Sequence, residues 1–206
     1  MSARTVIAAV RTDPSDPALV RLQVDGTWIG PLRRDQAEHL GAEAGVRWTR
    51  TLERKVRELT DAAACRTDAL RRLGRRDLTC ALLAARLAPR WGEPLATRVV
   101  EELAAEGWLD DRAYAQRRAE SLRRDGAVAR ERVVVRLEAE GVASDAAREL
   151  AGAPDRPEDL APLVRRWKRE GRDAAAILRA LGRRGFDFDT IAGALRAAGL
   201  PCPDLD

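Results

Sequence analysis

The stretch Leu103–Asp111, reading LAAEGWLDD, decides how this chain folds. Leu103 closes an apolar helical stripe, and Gly107 stands where a helix ends in left-handed backbone. The next apolar residue, Trp108, is expected to fold back onto a core, and Asp111 to cap the following helix. The same order returns as Leu137, Gly141, Val142 and Asp145, and again as Leu181, Gly185, Phe186 and Asp189. Asp110 and Ser144 are alternative caps.

Working outward, helical spacing and glycine-centred turns predict helices over 65–73, 77–88, 94–106, 111–124, 128–140, 144–151, 158–170, 172–184 and 188–198. They fall into three groups of three. The stretch Ala151–Asp159, rich in Pro and Gly, reads as the linker before the last group. Apolar residues at helical spacing, Leu160, Leu163, Val164 and Trp167, then Ala174, Ile177, Leu178 and Leu181, mark core faces. The expected organisation is a head over 1–64 and repeats over 65–109, 110–152 and 153–206, the last with a short acidic tail.

The head reads differently. Thr5–Val10 and Leu19–Val24 carry β-branched residues around the Pro/Asp-rich Thr12–Pro17, and Asp25-Gly26 is a turn signal, which predicts a small hairpin. Leu32–Ala44, stopped by Gly45, and Thr51–Ala64 read as one or two helices.

Composition agrees with this division. Of 206 residues 34% are charged and only 4% aromatic, which suits helices with a narrow apolar stripe and a broad solvated face. Cys65, Cys80, Cys202 and the single His39 have no metal-ligand spacing, so no metal or other cofactor is expected. Apolar runs too short to span a bilayer and unpaired cysteines lead to the expectation of a cytoplasmic protein without a membrane partner. Phosphate-binding glycine loops, nucleophile elbows and zinc-protease motifs are lacking, so the chain is not read as an enzyme. Asp110 and Asp111 look like a catalytic carboxylate pair, but a helix N-terminus attracts such residues through its dipole, and capping is the stronger reading. Trp91, Trp108, Trp167, Tyr114 and Phe186 sit on apolar stripes and are read as core rather than as platforms for bases; Trp28 and Trp48 are undecided.

The repeat residues also carry a resemblance. Gly107, Trp108, Leu109, Asp110, Asp111, Tyr114 and Ala115 resemble the signature of the RecX family. Arg123–Gly126 followed by Leu137–Val142, and Arg184, Gly185, Phe186, Asp189 and Ile191, are similar to its later motifs in order and spacing. At Arg75, Arg76, Asp77, Leu78 and Thr79 the family has an Arg and a capping Ser, and either Thr79 or Asp77 takes that cap here. The resemblance covers roughly residues 60–200. It implies an all-α fold, an elongated right-handed array of three tandem three-helix repeats behind the small head. It also implies a regulator that lies in the RecA recombinase filament on single-stranded DNA and inhibits its ATPase and strand exchange, modulating DNA repair and the SOS response; a monomer is expected, although the sequence itself leaves the oligomeric state open.

Charge placement fits an acidic partner. All but Lys55 and Lys168 of the 37 basic residues are arginines, planar forks suited to phosphate or carboxylate. Cys65–Gly92 sets seven arginines, among them Arg71, Arg72, Arg75 and Arg76, against two aspartates. Pro162–Leu200 sets nine basic residues, among them Arg165, Arg166, Lys168, Arg169, Arg172, Arg183 and Arg184, against four acidic ones. With Arg123 and Arg124 these are the candidate contacts to recombinase or DNA. Two other readings are a stand-alone helix-turn-helix-like DNA-binding protein and a helical protein-protein scaffold. The absence of Asn, with only Gln23, Gln36 and Gln116, argues against direct base readout.

Overall fold

A computed structural model describes residues 5–124 and 127–202. Gly126 and the acidic tail, both used in the sequence reading, lie outside the described residues. The chain forms two compact units. One comprises residues up to Arg76 together with Leu83–Leu103; the other comprises Asp77–Leu82 and everything from Ala104 onward.

In the first unit, strands β1 (Ile7–Asp13), β2 (Asp16–Val24) and β3 (Thr27–Arg33) pair antiparallel in chain order. The expected hairpin thus carries a third strand. Asp25 and Gly26 have φ of +48° and +77°, the two-residue turn that matches strand twist, so the chain returns to the sheet. Gly30-Pro31 breaks the alternation that would have revealed β3, and an edge strand tolerates that proline. Ile7, Val20, Leu22, Val24 and Leu32 form the buried face against Ala37, Leu52 and Val56. Trp48 packs at the edge of this core, whereas Trp28 is exposed under Arg11.

Helix α1 is only Arg34–His39, shorter than the predicted 32–44, because the chain turns at Gly41. Gly45 ends no helix; its N–H donates to the Ile7 carbonyl at 2.8 Å and ties the segment to β1. Helix α2 then runs unbroken over Arg50–Leu73, started by Thr49, whose hydroxyl accepts from the Leu52 N–H at 3.2 Å. The expected boundary at residue 65 falls inside it. No Gly or Pro occurs in α2, and Cys65 and Ala69 are fully buried on its inner side. Helices α3 (Cys80–Trp91) and α4 (Glu93–Ala105) follow, with Leu83, Leu87, Val99, Val100 and Leu103 buried.

The second unit holds α5 (Asp111–Arg124), α6 (Arg130–Ala139) and α7 (Ser144–Leu150), packed around Ala115, Ala119, Val133, Leu137 and Ala147. It also holds α8 (Pro157–Arg169), α9 (Ala174–Gly182) and α10 (Phe188–Ala197), packed around Leu160, Val164, Trp167, Ile177, Leu181 and Leu195. The stripes read from the sequence supply these cores.

The repeated turn is present with a shifted register. Gly107, Gly141 and Gly185 have φ of +82°, +86° and +92°. The helix starts that follow are capped by Asp110, which accepts from the Ala113 N–H, and by Asp187, which accepts from the Thr190 N–H, each at 2.8 Å. Asp189 is therefore not the cap, and at the middle turn Ala143 holds that position with no side-chain bond, so neither Ser144 nor Asp145 caps α7. Aligned on the caps, the buried apolar residues are Leu109, Val142 and Phe186. Trp108 is an extra residue: it is 57% exposed while Leu109 is 8% exposed, which corrects its reading as core.

Two junctions in this unit use one set of contacts. At the start of α3, Thr79 accepts from the Leu82 N–H at 3.1 Å and donates to the Glu140 carbonyl, while Asp111 accepts from the Cys80 N–H at 2.8 Å. Thr79, not Asp77, is the cap. At the start of α6, the Ala129 N–H donates to the Arg184 carbonyl at 3.0 Å, Arg132 donates to the Arg183 carbonyl, and Asp155 accepts from the Arg130 N–H at 2.8 Å. Each helix start is thus closed partly by a carboxylate from later in the chain. The backbones meet so closely that a Cβ on Gly141 would lie 2.4 Å from the Ala81 Cβ, and one on Gly185 3.2 Å from the Arg132 Cβ.

Candidate functional site

The candidate residues separate by what their side chains touch. Near the end of α2, Arg71 and Arg72 converge on Asp68, at 2.6 and 3.2 Å, and the Trp91 indole N–H adds a third bond at 3.3 Å. Asp68 is 4% exposed. Burial pushes its carboxyl upward, but the bonds from Arg72, Arg71 and Trp91 outweigh that and hold it well below the usual carboxylate range. These two arginines serve the fold. The next pair, Arg75 and Arg76, is exposed after the helix end and makes no ion pair among the described residues.

Other candidates hold helix C-termini. Arg123 donates to the Leu150 carbonyl at 3.1 Å. Lys168 donates to the carbonyls of Ala198 and Gly199 at 3.0 and 3.1 Å. A compact ammonium with three donors suits two carbonyls that end a helix, which accounts for a lysine in a chain dominated by arginine.

On α8, Arg165 and Arg169 lie four residues apart on the face opposite Val164 and Trp167, both exposed. Arg166 meets Glu170 at 3.5 Å in a solvent-exposed pair, which contributes little. Beyond the helix, the guanidinium carbons of Arg172 and Arg184 lie 4.7 and 4.8 Å from the ring centre of buried Trp167. Arg183 lends its carbonyl to Arg132 and leaves its side chain exposed, as does Arg124 at the end of α5. The structure therefore leaves Arg165 and Arg169 on one face of α8, sets Arg172 and Arg184 against Trp167 on another, and assigns Arg71, Arg72, Arg123 and Lys168 to internal bonds.

The remaining motif residues are structural. Tyr114 donates to Glu140 at 2.9 Å, and Arg118 and Arg136 meet the same carboxylate at 3.1 and 2.8 Å. Burial, then Glu140, raises the Tyr114 hydroxyl above its usual range. The Asp110-Asp111 pair acts in capping two different helices. Burial and Asp111 push the Cys80 thiol up to about 11, so it stays protonated. Among the described residues no cluster of metal-ligating side chains occurs, and no helix is long and apolar enough to cross a membrane.

Sequence reasoning missed Glu140, whose partners Tyr114 and Arg118 are 26 and 22 residues away although Arg136 is only four, and Asp155, whose partner Arg130 is 25 away. It also missed a cleft of about 660 Å³ in the first unit lined by Pro31, Leu59, Ala63, Arg71, Arg90 and Trp91. No periodic signal in the chain marks Asp155 or the cleft, and only the spacing of Arg136 and Glu140 hints at Glu140.

Comparison with known proteins places the chain. No family model matches it. It is 38% identical over 130 residues to regulatory protein RecX of Thermus thermophilus, spanning 63% of this chain and 89% of that one. It is 36% identical over 149 residues to regulatory protein RecX of Chromohalobacter salexigens, spanning 68% and 95%. A crystal structure of a regulatory protein RecX superposes with a TM-score of 0.68 over 95% of this chain and 98% of that one, at 13% identity. RecX from Lactobacillus salivarius gives 0.54 over 68% and 97%, at 16% identity. The extent and level of identity, on a matching fold, establish that this chain belongs to the RecX family of regulatory proteins.

Proposed function

We propose that this chain binds the RecA recombinase filament on single-stranded DNA and restrains its ATPase and strand-exchange activities, without catalysing a reaction, and so modulates DNA repair and the SOS response. The observation that carries this reading is the identity of 36–38% to proteins named regulatory protein RecX across 89–95% of their length. The C-terminal part of α2 and helices α3–α10 act in this reading as three tandem three-helix units, supported by the recurring turn and the two similar junctions. The protein works as a monomer. Its exposed arginines, Arg75 and Arg76 after α2 and Arg165, Arg166 and Arg169 on α8, grip the filament. Exposed guanidiniums that exchange counterions make such binding salt-sensitive.

The test is RecA ATPase on single-stranded DNA with and without the protein, across a salt series. Inhibition at stoichiometric protein that fades with salt is expected. Undiminished hydrolysis at every salt concentration would overturn the reading.

A further inference from the structure

We infer that Arg172 and Arg184, fixed against the indole of Trp167, form a preformed clamp for successive phosphates of a nucleic-acid strand. The inference rests on the function proposed above and deepens it by separating residues that meet DNA from those that meet recombinase.

An arginine on an open helix face must surrender rotamer freedom when it binds. Here much of that loss has already occurred, since both guanidinium carbons sit within 5 Å of one ring centre, at 4.7 and 4.8 Å. Stacking occupies the flat faces of a guanidinium and leaves its N–H donors, which lie in the plane, directed outward. Trp167 is buried beneath, so the ring cannot stack on a base; it is a platform for the arginines, and phosphate is the group they can reach.

The backbone under both side chains is also held. The Arg172 N–H donates to the Trp167 carbonyl at 3.0 Å, and the Arg184 carbonyl accepts from the Ala129 N–H at 3.0 Å. Nearby carboxylates do not neutralise the pair. Asp173 and Asp187 are occupied in capping α9 and α10. Glu170 is 3.8 Å from Arg172, both side chains are 47% exposed, and Glu170 is shared with Arg166. Such a contact is readily exchanged for a phosphate.

Position adds an independent argument. The segments that start α3 and α6 are covered, with Leu78, Thr79 and Ala129 buried. Gly171, Arg172 and Asp173, which start α9, are all exposed. The place that is closed before α3 and α6 is open before α9, and Arg172 stands in it, with Arg184 beside it on the same ring. A single carboxylate satisfies one fork, whereas a strand repeats its charge and matches two forks fixed to one ring.

The experiment uses the full chain, a fluorescein-labelled oligo(dT) strand and no recombinase, with affinity measured across a salt series. Arg172→Ala/Arg184→Ala is expected to bind about tenfold more weakly at low salt, with a log–log salt slope shallower by about 1.4, two single-strand phosphates at about 0.7 each. Arg172→Lys/Arg184→Lys keeps the charge and the slope but not the flat stack, and recovers only part of the affinity. In the unaltered protein, the Nε–H resonances of both arginines, displaced by the ring current of Trp167, shift on adding oligo(dT). Unchanged affinity and slope in the alanine variant, full recovery in the lysine variant, or resonances unmoved at saturation would each overturn the clamp. So would intact DNA binding with weakened RecA inhibition, which would assign the pair to an acidic protein surface and leave the proposed function standing. Failure of the unaltered protein to inhibit RecA removes that function instead.

Discussion

The end of α2 and the end of α8 are built from the same parts with opposite outcomes. Each has two arginines and a tryptophan meeting around one group, Asp68 at α2 and the Trp167 ring itself at α8. At α2 a buried carboxylate, Asp68, collects Arg71, Arg72 and the Trp91 N–H, so the positive charge is balanced inside the protein. At α8 no buried carboxylate joins Arg172, Arg184 and Trp167; the indole face restrains both guanidiniums, and only the exposed Glu170 lies 3.8 Å from Arg172. Arginine density along the chain therefore does not measure available charge; the carboxylate inventory around each cluster does.

The contrast is sharpest at Asp68. Asp68→Ala strands Arg72 and the Trp91 N–H and should cost about 3 kcal/mol of unfolding free energy, read by urea titration. The acid response of the same site has a fixed sign. Because its folded-state carboxyl lies below its unfolded value, its stabilisation is complete above the usual carboxylate range and fades as pH falls through the folded value. Asp68→Asn should flatten that part of the stability profile relative to the unaltered chain.

Lys168→Ala, which frees the carbonyls of Ala198 and Gly199, should cost about 1 kcal/mol, and Lys168→Arg should not restore it fully. At the α8 end, Arg172→Ala and Arg184→Ala should each cost no more than about 1 kcal/mol, since only a guanidinium–ring contact is lost and no buried charge is stranded. A loss there as large as at Asp68 would erase the distinction between the two corners. Trp108→Ser, at a side chain 57% exposed, should leave stability within about 0.5 kcal/mol of the parent.

Much of this architecture could be read from local pattern. The recurring Leu, Gly and apolar positions located the turns because a left-handed helix end is a one-residue requirement. The stripes through Val164 and Ile177 located two cores because helical spacing is short-range. Trp108 was misassigned because its turn holds one residue more than the other two, which only the cap at Asp110 reveals. The third strand was hidden by Gly30-Pro31, and α2 was cut at residue 65 by a change in composition that the backbone ignores.

Of the candidate site, the fate of Arg71 and Arg72 was available from their spacing of three and four residues after Asp68. Nothing local pairs Lys168 with Ala198 or Arg123 with Leu150, 30 and 27 residues away. Basic residues could be enumerated from the chain, but which of them face outward is decided by tertiary partners.

The carboxylates that close α3 and α6 lie 31 and 25 residues downstream of the amides they receive. On a ribosome, which delivers the chain from its N-terminus, those amides emerge before their acceptors do. The start of each helix is therefore fully closed only on the arrival of the following segment. A nascent chain stalled just before Asp111 or Asp155 holds an unfinished start behind it, and maturation proceeds stepwise towards the C-terminus, each newly emerged segment sealing its predecessor.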